Sequence, residues 1–140
     1  MPEPVPATGD DLLATMPYAS ALGITLETAT AELAEGTLPW AAEHCTSAGV
    51  LHGGALMSLA DTVGAVCAFR NLPPGATTAT VESKTNFFRA VRAGPLHARA
   101  RPLHVGRSFI VVQTDLTDDS GRRVGLTTQT QAVMMPRPAD

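Results

Sequence analysis

Gly49-Val50-Leu51-His52-Gly53-Gly54-Ala55-Leu56-Met57-Ser58-Leu59-Ala60-Asp61-Thr62-Val63-Gly64-Ala65-Val66-Cys67-Ala68-Phe69 runs from a glycine-rich turn into an apolar segment long enough for a helix. Between His52 and Arg70 its only formal charge is Asp61. A helix that is apolar nearly all round predicts burial, with strands wrapped about it. A carboxylate in the middle of such a helix is costly unless it is paired or has chemical work to do. Ala55, Ser58, Ala60, Gly64, Ala65 and Ala68 keep the rod thin, so a sheet or a second helix can approach closely.

Outward from this segment the chain divides clearly. On the N-terminal side, Asp10 to Met16 reads as a short helix with acids in its first turn, interrupted at Pro17. Residues 24–33 alternate in part and are rich in β-branched residues, so a strand is expected. Glu35-Gly36 reads as a turn into a second strand, Thr37 to Trp40, with Pro39 at an edge or end. Ala41 to Val50 is a polar approach loop. Beyond the helix, Leu72-Pro73-Pro74-Gly75 stops it, and only strands follow. Thr77 to Phe88 is β-rich, its apolar faces expected to converge at Val81, Phe87 and Phe88. Leu96 to Arg101 alternates apolar with basic, the pattern of a strand buried on one face. Ser108 to Leu116 reads as a well-buried strand, Asp118 to Gly121 as a hairpin turn, and Arg123 to Met135 as the last strand. Tight turns make an antiparallel sheet. The fold class expected is therefore α+β, a curved antiparallel sheet wrapped around one long central helix. One domain is expected over residues 10–135, with a Pro-rich disordered tail at 1–9 and a short tail at 136–140.

Composition excludes several functions. The 140 residues carry a net charge of −3 and no basic run, which argues against nucleic acid as a partner. The apolar run 55–69 is too short and too rich in Ala, Gly and Ser to span a membrane. The N-terminal residues lack the cationic start and apolar run of a secretion signal, so a cytoplasmic protein is expected. Cys45 and Cys67 then read as free thiols. No Cys-x-x-Cys, His-Glu-x-x-His or phosphate-loop pattern occurs, so neither a metal nor a cofactor is expected.

The chemistry begins at His52-Gly53-Gly54, where loop becomes helix. The first helical amides lack intrahelical partners and the macrodipole adds partial positive charge. Glycine leaves room for a ligand oxygen to reach them. The Gly53 N–H is thus a candidate oxyanion donor for a polarised carbonyl. Asp61 lies eight residues on, about 12 Å along the helix. One carbonyl cannot touch both groups of a single chain. If they serve one reaction, two chains related by a twofold axis must supply them, Gly53 from one and Asp61 from the other.

The run His52 to Asp61 resembles the signature of hotdog-fold acyl-CoA thioesterases: His-Gly-Gly, six residues, then Asp or Glu. It is most similar to the PaaI-type group, named for phenylacetate degradation. The resemblance extends over about Tyr18 to Met135, taking in Gly36, Gly49, the Asn86-Phe87-Phe88-Arg89-Ala90-Val91 run and His104 to Phe109. It implies edge-to-edge dimers, frequently tetramers, and CoA thioester substrates, with CoA part of the substrate. It further implies that Asp61 acts as nucleophile or general base, with the Gly53 amide of the opposite subunit holding the oxyanion. His52 on this reading orders the turn rather than taking a proton. Where the family usually has Asn or Gln, six residues before the motif His, this chain has Thr46, whose hydroxyl is a shorter donor. Gly54, Ser83, Phe88, Arg89, Arg107 and Ser108 are the substrate-binding candidates, the arginines for CoA phosphates. Two other readings stand beside hydrolysis. One is a hotdog dehydratase or hydratase on 3-hydroxyacyl or enoyl thioesters, the other a non-catalytic acyl-CoA binder.

Overall fold

The computed structural model describes residues 8–138. The expected N-terminal tail therefore lies mostly outside the described residues, as do residues 139–140. Its expected end at Gly9 is corrected. Thr8 caps helix α1, Gly9–Ala14, in a reciprocal box with Asp11, which satisfies two orphan donors of the first turn. Pro17 does not merely interrupt. It opens a second short helix, α2, Pro17–Ala21, where its missing N–H costs nothing.

Strands β1, Thr25–Ala29, and β2, Ala34–Leu38, form an antiparallel pair. The expected turn at Glu35-Gly36 falls inside β2. The reversal comes earlier, where the Thr30 N–H and hydroxyl both donate to the Leu33 carbonyl. Gly36 has a packing duty instead: a Cβ there would lie 2.7 Å from Val63 Cγ2, so β2 rests directly on the central helix. That helix, α3, spans Gly53–Phe69. Four long strands follow: β3, Thr77–Phe87; β4, Leu96–Val105; β5, Phe109–Thr117; and β6, Arg123–Met134. Together with the first pair they make one six-stranded antiparallel sheet in the order β1-β2-β4-β5-β6-β3. This is the hotdog architecture, a sheet curved about one long helix. Leu38, Leu59, Leu96, Ile110, Leu116 and Val124 are fully buried between them.

Two expectations about burial are corrected. First, α3 is not enclosed all round. Met57 and Asp61 are exposed, and with Gly54 and Ser58 they form an open stripe at the spacing of one helical face. The short α2 covers only one side of that stripe. Second, Val81, Phe87 and Phe88 do not converge in the core. They are 61%, 51% and 53% exposed, on or just beyond β3, whose outer edge has no strand beside it among the described residues. By contrast, β4 is buried and wet by turns over Leu96–Arg101, as its alternation predicts.

One irregularity in β3 decides what the sheet presents to α3. Its register against β6 shifts between Thr80 and Glu82, leaving Val81 as an extra residue. A bulge reverses the alternation of faces. Thr78 and Thr80 before it, and Ser83 and Thr85 after it, consequently share the side facing the helix.

Candidate active site

Asp61 stands at the midpoint of α3 and at the C-terminal end of the open stripe. Its Oδ1 accepts two hydrogen bonds from the sheet, one from Thr80 Oγ1 at 3.0 Å and one from Gln129 Nε2 at 2.9 Å. Its Oδ2 has no hydrogen-bond partner among the described residues, and the residue borders a hollow of about 630 Å³. Ser83, Met57 and Tyr18 also line that hollow, together with His52 and Gly54 at its far end. The Tyr18 hydroxyl lies 2.9 Å from Ser58 Oγ, which in turn donates to the Gly54 carbonyl. α2 is thereby tied across one side of the stripe.

The helix start has a separate geometry. His52 is the N-cap, and its Nδ1 accepts the Gly54 N–H at 2.8 Å. A nitrogen that accepts carries no proton, so in the neutral ring the hydrogen is on Nε2. The Gly54 amide is thus already engaged, and Gly54 lines the Asp61 hollow with its backbone alone. The Gly53 N–H has no partner among the described residues, which leaves it available to a ligand oxygen. Gly53 opens onto a second hollow, of about 400 Å³, shared with Thr46, Phe88 and Arg89. Thr46 Oγ1 accepts the Ala48 N–H at 3.2 Å, so the hydroxyl proton remains free to donate. Phe87 closes the hollow from the side, its ring 3.3 Å from where a Gly53 Cβ would stand.

The candidate residues therefore fall into two groups on either side of one helix start. Asp61, Ser83, His52 and Gly54 border the larger hollow; Gly53, Thr46, Phe88 and Arg89 border the smaller. Arg107 and Ser108 join neither. Arg107 sits in a third hollow beside Pro73 and Met135, and Ser108 accepts the Val133 N–H through its carbonyl. Both lie toward the C-terminal end of α3, so within one chain the expected Arg107–Ser108 contribution is absent from either half-site. His97 is held by Asp119 at 3.1 Å and Thr37 at 3.3 Å on β4, away from Asp61. Cys67 faces the core. Burial, then the charge of Glu32, pushes its thiol up to about 11, which removes it as a nucleophile near neutral pH. No three His, Cys, Asp or Glu side chains converge as a metal ion requires among the described residues.

Gln129, Gln131 and Thr80 escaped the sequence reading. The available signal was a period of two in the last strand, Thr127, Gln129 and Gln131, all buried on the face toward α3. A buried amide is rare enough to be informative.

Residues 48–124, more than half of the chain, match the family described as Thioesterase superfamily. The chain belongs to the thioesterase superfamily. Its relatives include the proofreading thioesterase EntH of Cronobacter turicensis, 31% identical over 113 residues, 81% of this chain and 82% of EntH. Among solved structures, the thioesterase HI1161 of Haemophilus influenzae superposes with a TM-score of 0.86 at 30% identity, covering 91% of each chain. A mutant of the thioesterase PA1618 of Pseudomonas aeruginosa gives the same score at 27% identity, covering 91% of this chain and 94% of the other. This member of the superfamily is a thioester hydrolase of the hotdog fold. Among the described residues, no helix is long and apolar enough to cross a membrane.

Proposed function

We propose that this thioesterase hydrolyses an aryl- or medium-chain acyl-CoA in the cytoplasm, as a PaaI-type enzyme, at two sites shared between the subunits of a homodimer. The observation that carries the proposal is the split of the site. The Gly53 N–H and Asp61 Oδ2, each without a hydrogen-bond partner among the described residues, belong to residues that border different hollows, about 12 Å apart on one helix. A twofold axis beside β3 would bring each to its complement. β3 has 11 residues, an outer edge with no strand beside it among the described residues, and exposed Val81 and Phe87, features that a monomer normally suppresses. Dimers built this way can pair again into the tetramer that the resemblance implies.

In the dimer the thioester carbonyl oxygen accepts the Gly53 N–H of one subunit, where the helix dipole favours developing negative charge. Asp61 Oδ2 of the other subunit faces the carbonyl carbon. As a general base it takes a proton from water while the water oxygen bonds to that carbon. Collapse of the oxyanion breaks the carbon–sulfur bond and the CoA thiolate leaves, taking up a proton. As a nucleophile Oδ2 bonds to the carbon itself, expels the thiolate, and the resulting anhydride is cleaved by water. A single turnover in H₂¹⁸O separates the two, since only the nucleophilic route can leave label in Asp61. Thr46 adds a hydroxyl donor beside Gly53. Phe88 and Arg89 form the wall along which a CoA moiety would lie, Arg89 toward its phosphates. Met57, Tyr18 and Ser83 border the acyl end.

The test is release of free CoA from benzoyl-, phenylacetyl- and hexanoyl-CoA, followed with a thiol reagent, beside hydration of crotonyl-CoA. Thiol release with at least one of the three, and no hydration, is expected. Hydration without thiol release would overturn the proposal.

A further inference from the structure

Asp61 is gripped on one side only, and the grip comes from a chain of side chains backed by two buried glutamines. Gln131 Nε2 donates to Thr80 Oγ1 at 2.8 Å, and Thr80 Oγ1 donates to Asp61 Oδ1. The direction is forced. An amide nitrogen can only donate, so Gln131 occupies a lone pair of the Thr80 hydroxyl and turns its one proton toward the carboxylate. The Thr78 hydroxyl has one proton and two acceptors beside it, the Ala132 carbonyl at 2.9 Å and Gln131 Oε1 at 3.1 Å. The way the Gln131 amide faces follows instead from the Asp61 carboxylate, which can only accept and so takes the Thr80 proton. Gln129 Nε2 completes the grip from β6, and both glutamines are 1% exposed.

We propose that Thr80 and Gln129, backed by Gln131, are positioning residues that lock the Asp61 carboxylate so that Oδ2 alone serves the reaction. The inference rests on the reading of Asp61 given above. A carboxylate turns easily about its last bond, with two broad and equivalent orientations. Two donors on Oδ1 end that freedom, and they do so at an exposed position where water would otherwise compete. The reacting oxygen is then held against a carbonyl delivered by the other subunit, where small displacements are expensive.

Two features separate this role from ordinary core filling. Gln129 Oε1 is buried without a hydrogen-bond partner among the described residues, so the amide sits where its nitrogen is served and its oxygen is not. A methionine would fill the same space without that penalty. In addition, Gly64, one turn beyond Asp61, leaves the gap the amide occupies, because a Cβ there would collide with Gln129 Oε1. The β3 bulge contributes as well. It lets Thr80 grip the carboxylate while Ser83, three residues on, still faces the same hollow.

The experiment is a set of mutant cycles measured as kcat and KM on whichever acyl-CoA the enzyme turns over. Gln129→Met and Thr80→Val are each introduced into the native chain and into Asp61→Asn. In the native chain each should lower kcat about tenfold or more while KM changes less than about twofold. Thr80→Ser should recover most of the rate lost in Thr80→Val, because it restores the donor. In Asp61→Asn neither substitution should lower the residual rate further, which a merely structural role could not produce. Thr80 is exposed, so its variants remain informative even if Gln129→Met fails to fold. Native-like kcat in Thr80→Val, or an equal loss in the Asp61→Asn background, would overturn the inference while leaving the role of Asp61 intact. Full activity in Asp61→Asn alone would remove the reading of Asp61, and this inference with it.

Discussion

The His52 ring does at the helix start what a serine or aspartate usually does, accepting the Gly54 N–H from one residue before the helix. His52→Ala leaves that amide unserved and should cost about 0.5–2 kcal/mol, the usual worth of a side-chain cap. His52→Asn restores an acceptor and should regain the lost stability together with most of the lost rate. Urea unfolding midpoints at constant m, with kcat beside them, check both. A His52→Asn enzyme as stable as the native one but inactive would show that the ring exchanges protons rather than holding the turn. At this scale the sequence was most legible where spacing carried the information. Gly53 and Asp61 are eight residues apart on any helix, and their separation follows from the rise alone. The grip on Asp61 was hidden because Thr80 and Gln129 lie 19 and 68 residues from it in sequence, and no local pattern joins them.

Among the elements, the sequence was legible wherever an apolar pattern or a Gly-Pro break was strong. α3 and the four long strands lie within a few residues of where the sequence put them, apart from β4, which runs on to Val105. β2 was misplaced because Glu35-Gly36 looks like a turn, whereas Gly36 is small in order to pack on Val63. The bulge at Val81 was invisible, since an extra residue in one strand is defined only by its neighbour. The β5–β6 hairpin gives a pH test of local chemistry. The Ser120 hydroxyl at 2.6 Å, the Arg122 and Ser120 backbone amides and the Arg122 guanidinium lower the Asp118 carboxyl from 3.8 to about 2, against a smaller opposing effect of burial. A carboxyl depressed in the folded state stabilises it above the unfolded value, and that contribution fades as pH falls through the folded one. Native protein should therefore melt above Asp118→Ala at pH 5, with the gap narrowing between pH 4 and pH 2. A gap independent of pH over that window would mean that the charge on Asp118 plays no part in the turn.

At the scale of the whole molecule, the proposed dimer gives each chain two incomplete sites. Exposed Phe87 and Phe88, the outer edge of β3 with no strand beside it and the Gly53 N–H with no partner, both among the described residues, all lie beside the same hollow or strand. The sequence suggests a shared site by length, because 12 Å of helix cannot serve one carbonyl. It predicts a helix wrapped on every side, and the open stripe that carries Asp61 corrects that picture. In the proposed dimer, the stripe faces the partner subunit. The direct test mixes two inactive chains. Asp61→Asn should lower kcat by about 10²–10⁴. Gly53→Pro deletes the donor N–H at the first helical position, where proline is tolerated, and the extended His52 before it, with ψ of 139°, accepts a following proline. It should lower kcat by about 10²–10³. Unfolded and refolded together in equal amounts, the two chains form mixed dimers in which one site receives both native groups and the other neither. With random pairing, the mixture should regain about a quarter of the native activity. Demonstrated mixed dimers with no activity beyond that of the parents would contradict a site shared between subunits.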